Sequence, residues 1–174
     1  NDVNDSTYRA TATYSSQYAD FANYPYTSEA SVPFNPQLKT CYVTTESDDT
    51  IKGSLRYNIE LANNDECNLM LFNIPVSGQA EIDMATDLPV IYASRLTIDA
   101  TSQPGYSGTP IVYLQSSTNL SNAFVVNSDT SEIAIHGMGV RGFEYPLTLE
   151  KASHFENSQS LLTEFSKGAV HFIE

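Results

Sequence analysis

The chain has 174 residues, 8 Lys and Arg against 21 Asp and Glu, 41% hydrophobic residues, 2 Cys, 3 His and no Trp, which bounds it to one ordinary-sized domain. A formal net charge of −13 makes every approach to a polyanion repulsive, and so excludes nucleic acid and anionic membrane as partners. Only 17% of residues are charged, and the polar remainder is dominated by Ser, Thr, Asn and Tyr, a mixture that suits strands and turns better than helices.

Residues 1 to 40 read as an N-terminal extension. Tyr8, Tyr14, Tyr18, Tyr24 and Tyr26 punctuate a Ser/Thr/Ala background that ends at Pro33-Phe34-Asn35-Pro36. Tyr8, Ala10, Ala12 and Tyr14 share one face of an extended segment, with Arg9, Thr11 and Thr13 opposite, which predicts a strand over residues 7 to 14. Pattern alone leaves open whether it joins the main fold, pairs with another subunit or is a linker. The tyrosines could stack on sugar rings, but a subunit interface is the better expectation, since the segment is long and lacks its own core while Tyr supplies contact area with a polar handle. The chain opens Asn1-Asp2-Val3 without an initiator Met or leader and reads as a mature or excised segment, and no apolar run approaches the roughly 20 residues of a membrane span.

Residues 41 to 174 read as one β domain. Short β-type runs separated by turn residues are expected at 41–45, 69–74, 80–82, 88–92, 95–99, 111–114, 124–126 and 133–135. One helix interrupts them near residues 54 to 63: Ser54 precedes Leu55, Ile59 and Ala62, which fall on one face, and Asn63-Asn64-Asp65 ends the run. So short a helix needs a partner surface, so it is expected to pack on the strands.

The last third contains a repeat. Phe124 and Val126 reappear as Leu147 and Leu149, then as Val170 and Phe172, at an offset of 23, while Ile133, Val140 and Phe143 match Phe155, Leu162 and Phe165 at an offset of 22. A helix-free repeat of that length is one coil of a parallel β-helix, in which each strand stacks on its counterpart about 4.8 Å away. The competing reading is a β-sandwich with accidental register.

The blocks Gly53-Ser54-Leu55-Arg56-Tyr57-Asn58-Ile59, Leu71-Phe72-Asn73-Ile74-Pro75, Leu88-Pro89-Val90-Ile91 and the run from Leu96 to Pro110 resemble a bacterial extracellular family. That family consists of right-handed parallel β-helix modules with a Cys/Gly-Ser-Leu-Arg-Glu-Ala-Ile motif on an N-terminal helix, found in large secreted and surface-attached proteins. The resemblance covers residues 41 to 145, departs at Tyr57 and Asn58, where Glu and Ala are usual, and does not reach the first 40 residues. It implies an all-β, right-handed parallel β-helix of four or five coils with one short capping helix, and an extracellular or cell-surface location. The family is defined by architecture, so a function must be argued from residues.

Local chemistry agrees with a solenoid. Gln103-Pro104-Gly105 is a turn, because Pro fixes φ and Gly supplies positive φ. The helix would cover the open first coil. Cys41 and Cys67 precede consecutive strands, so both would occupy neighbouring positions at a coil edge, within reach of a disulfide and suited to an oxidising compartment.

Catalytic constellations are thin. His136, His154 and His171 lack a Gly-x-Ser-x-Gly nucleophile turn, and surface or edge roles are expected of them. Arg56, Arg95 and Arg141 are the bases available beside acids such as Asp83, Asp87 and Asp99; a shared face for Arg95 with these acids would be needed for polysaccharide cleavage, while turn roles fit Asp87 and Asp99. No metal or cofactor is expected. Asp48-Asp49 and Asn63-Asn64-Asp65-Glu66 are oxygen-rich enough for Ca²⁺ but lack an alternating acidic loop, so solvated turns are the expected role.

The functional expectation is a non-enzymatic extracellular structural or adhesive module, the self-assembling subunit of a cell-surface filament; the alternative is a carbohydrate-binding or polysaccharide-degrading β-helix with glycans as partners. Self-association is expected through the N-terminal segment and the last coil, where Val170 and Phe172 would lie uncovered.

Overall fold

A computed structural model of the chain describes residues 37–127, 132–151 and 154–173. The expected strand over 7 to 14, and with it Tyr8, Tyr14, Tyr18, Tyr24 and Tyr26, lies outside the described residues. Leu38–Glu174 is one compact unit.

The fold is a parallel β-helix of about five coils. The elements are β1 (Thr40–Val43), α1 (Leu55–Asn63), β2 (Leu69–Phe72), β3 (Ala80–Asp83), β4 (Arg95–Asp99), a 3₁₀ turn (Ala100–Ser102), β5 (Val112–Asn127), β6 (Glu132–His136), β7 (Met138–Glu150), β8 (His154–Ser158), β9 (Leu161–Thr163) and β10 (Val170–Ile173). One sheet runs β1-β2-β4-β6-β8 and the other β10-β7-β5-β3, with β9 also on β7; every pairing is parallel.

The repeat read from the sequence is the register of the sheets. Phe124 pairs with Leu147 and Leu147 with Val170, Val126 with Leu149 and Leu149 with Phe172, Ile133 with Phe155, and Val140 with Leu162, whereas Phe165, matched to Phe143, falls beyond the end of β9. Parallel stacking places like residues over like, which is why apolar residues recur at the coil length. The inward column is buried at Phe124 and Leu147 and opens at Val170, which is 38% exposed because no coil lies beyond it among the described residues.

Three expected strands differ. Residues 111–114 and 124–126 belong to a single long β5, bent where its register with β7 shifts between Gln115 and Leu120. The same corner in β7 is Gly142, with φ +78°, where a Cβ would sit 2.2 Å from the Ser116 carbonyl oxygen. Residues 88–92 form no strand: Pro89 lacks a ladder donor, and only Ile91 makes a bridge, to Val126.

Ser54 caps α1 by accepting from Tyr57 N, and Leu55, Ile59 and Ala62 are buried as the apolar stripe requires. Cys41 lies in β1 and Cys67 just before β2; they are bridged, with Cα atoms 5.7 Å apart. In the turn after β4, Asp99 Oδ1 accepts from Thr101 N, and Tyr106 N donates to Gln103 O across Pro104-Gly105, Gly105 having φ +94°.

Candidate functional site

Both ends of the solenoid expose apolar side chains, Leu38, Tyr42, Ile51 and Tyr92 at the first coil, and they differ in how side chains meet their strand edges. A β-helix necessarily leaves strand edges at its first and last coils, and each edge is a row of backbone donors and acceptors ready to take another strand. At the first coil several of these groups are met by side chains from α1 and the loop before it. Asn58 Nδ2 donates to Tyr42 O on β1 at 2.9 Å. Glu46 Oε1 accepts from Glu81 N on β3 at 2.7 Å, and Asp48 Oδ2 accepts from Ala85 N just beyond it at 2.8 Å. Asn63 Oδ1 accepts from Tyr92 N while its Nδ2 donates to Val90 O, both at 2.8 Å. Arg56 locks this arrangement, reaching Asp48 Oδ1 with Nε and Nη2 and the Thr86 and Asp87 carbonyls with its remaining donors; the side chains of this ion pair are only 13% and 6% exposed.

The oxygen-rich loops thus have structural partners. Asp49 accepts from Ser47 Oγ and Ile51 N, and Asp65 forms an ion pair with Lys39. Asn58 is buried as a polar residue in the helix's apolar stripe because its amide donates to Tyr42 O and Ser54 O. That interruption of the stripe was the one sequence signal for these contacts. Glu46, Asp48 and Asn63 gave none, since acids and amides before and after a helix look alike whatever they touch.

The last described coil has no such side-chain partners among the described residues. The outer edges of β9 and β10 receive no hydrogen bond among the described residues, and the apolar side chains of the coil are exposed: Phe172 at 73%, with Leu161, Phe165, Val170 and Ile173 each near two-fifths. The core also thins there, leaving a small apolar recess lined by Phe124, Ile135, Val140, Leu147, Phe155 and Leu162. Beside it the His171 ring stacks on Tyr145 at 4.4 Å, and Lys167 pairs with Glu144, whose hydrogen bond holds the ammonium above its ordinary range.

The other residues singled out in the sequence are dispersed. Asp83 does not share a face with Arg95, because they sit on different sheets: Arg95 pairs with Glu132 across β4 and β6. Asp83 instead meets Gln115, which with Glu81 engages Arg141, whose guanidinium lies 4.9 Å from the Tyr113 ring centroid. Asp99, His136 and Ser158 stand in register on three neighbouring strands, with His136 Nδ1 2.7 Å from Ser158 Oγ, but Asp99 Oδ1 is held by Thr101. No group of three or more His, Cys, Asp or Glu that could hold a metal ion occurs among the described residues. No helix is long and apolar enough to cross a membrane among the described residues.

No protein-family model, curated protein or solved structure matches the chain.

Proposed function

We propose that the chain is a non-enzymatic extracellular structural or adhesive module, the self-assembling subunit of a cell-surface filament, with its last coil as the docking surface. The observation that carries this reading is the apolar surface of the last described coil, where Phe172 is 73% exposed beside Leu161, Phe165, Val170 and Ile173 and the outer edges of β9 and β10. The bridged Cys41 and Cys67 suit an oxidising location, and the resemblance to secreted β-helix modules points the same way. The test is electron microscopy of the purified protein with light scattering across concentration. Fibres or concentration-dependent growth support the reading; monodisperse monomers at the highest attainable concentration refute it.

A carbohydrate-binding reading has its best support on the outer face of the second sheet, where Tyr113, Arg141, Gln115, Glu81 and Asp83 gather ring, cation, amide and carboxylates. These groups are already bonded to one another, and Arg141 covers one face of the Tyr113 ring, so a sugar would have to displace an existing network. Glycan-array screening tests it.

A further inference from the structure

We infer that Asn119 is the acceptor of an N-linked oligosaccharide, with Ser121 as the hydroxyl residue that completes its recognition sequence. This rests on the extracellular location in the reading above and is independent of self-assembly.

The sequence supplies a motif and the fold supplies its setting. Asn119-Leu120-Ser121 has the Asn-x-Ser form of an acceptor, with Pro neither at the middle position nor directly after the triplet. A triplet of this kind becomes a site where its Asn stands on a surface loop of an exported protein. The Cys41–Cys67 bridge suits the oxidising compartments that exported chains pass through. Asn119 and Ser121 are both exposed. Between Gln115 and Leu120, β5 loses its register with β7, so the residues before Leu120 leave the ladder and form a bend.

The bend does not need the Asn119 side chain. Ser116 holds it, its Oγ accepting from Thr118 N at 3.2 Å and from Leu120 N at 3.4 Å. Asn119 has φ +54°, in the left-handed region that Asn tolerates. Yet Asp65, Lys151, Gln159 and Glu164 take the same region at other turns, so that backbone does not by itself call for Asn. Ser121 likewise has no side-chain hydrogen bond among the described residues.

The amide chemistry is compatible with attachment. Asn119 Nδ2 donates to Ser166 Oγ at 3.3 Å, on an exposed surface. The donor is a lipid-linked oligosaccharide activated through a phosphate. The bond from sugar C1 to the phosphate oxygen breaks, that oxygen keeps the electron pair, C1 bonds to Asn119 Nδ2, and Nδ2 releases one proton. The glycosylated amide retains one N–H, enough to keep Ser166 as its partner. Since β5 lies between β3 and β7 in its sheet, a glycan on its bend leaves the outer edges of β9 and β10 free.

The test is peptide mass spectrometry on the chain recovered from the medium and cell-surface fractions of its own source. Trypsin, cutting after Arg95 and Arg141, releases one peptide that holds Asn119 and no other acceptor triplet. It is expected to carry sugar mass on Asn119, to lose it in Ser121→Ala and to keep it in Ser121→Thr, with unchanged far-UV circular dichroism. An unmodified peptide from extracellular protein overturns the proposal and leaves the location standing. A modification that survives Ser121→Ala overturns it too, because attachment would then not depend on the triplet. A chain found only in the cytosol removes both the proposal and the location beneath it.

Discussion

Gln103 binds the main chain of Ile74 with both ends of its carboxamide: Oε1 accepts from Ile74 N and Nε2 donates to Ile74 O, each at 2.9 Å in a buried setting. The side chain does what a strand would do, at a corner where the coil below has left its sheet and its backbone groups would otherwise lack partners. Asn63 makes the same pair of bonds to Tyr92 N and Val90 O at the first coil's edge. Side-chain amides therefore extend the ladder where the backbone cannot.

Replacing Gln103 by Leu keeps the volume and strands two buried backbone groups. At about 1–3 kcal/mol for each unsatisfied group, a loss of about 2–6 kcal/mol is expected in urea unfolding. Gln103→Glu, which keeps the acceptor for Ile74 N but buries a carboxylate against Ile74 O, should cost at least as much at neutral pH. A loss below about 0.5 kcal/mol for Gln103→Leu, within the range of surface substitutions, would show that water replaces the amide.

The parallel β-helix was legible because stacking turns three-dimensional neighbours into a fixed offset: Phe124, Leu147 and Val170 reveal their contact by spacing alone. The offset fails further upstream for a physical reason. Arg95 pairs with Glu132, a step of 37, because the turn through Gln103 to Pro110 and the bend of β5 lengthen that coil, and such insertions erase periodicity without disturbing the sheet. The side-chain partners of the first coil's edges were hidden because their bonds run from side chains to backbone groups far along the chain, such as Asp48 to Ala85, with no pattern in residue type. Val170 and Phe172 are apolar yet exposed on the last described coil, a feature their spacing alone does not show.

Leu147 and Phe172 offer a paired test of where the core ends. Leu147 is 4% exposed between Phe124 and Val170, whereas Phe172 is 73% exposed. Leu147→Asp buries a carboxylate without a partner and should cost several kcal/mol, on the order of 3–5. Phe172→Asp should stay within about 0.5 kcal/mol for the isolated chain, as surface substitutions do. Chemical denaturation under dilute conditions checks both; equal losses would mean that Phe172 is packed in solution, hence already covered.

The Cys41–Cys67 bridge encloses α1 and, with it, Glu46, Asp48, Asn58 and Asn63 that meet the first coil's strand edges. With a sequence separation of 26, its chain-entropy contribution is about 3.5 kcal/mol. Reduction should lower stability by that order and speed amide exchange at Glu81 and Tyr92, whose N–H groups depend on the enclosed loop. Thiol titration of the unfolded, unreduced protein should find no free thiol, and two free thiols would remove the bridge.

Assembly should also depend on salt in a direction that reports its driving force. Each copy carries −13, so copies repel at long range, while the proposed docking surface presents two apolar columns at Val170 and Phe172. Raising ionic strength from about 0.01 M to 0.1 M shortens the screening length from about 30 Å to about 10 Å, which weakens repulsion between whole bodies more than a contact between touching strands. Light scattering at fixed protein concentration should therefore rise over that range and then level off, because apolar burial and backbone hydrogen bonds persist in salt. Scattering that falls steadily as salt is added would mean that ion pairs hold the copies together, and would move the docking surface away from β10 towards charged groups such as Lys167 and Glu144.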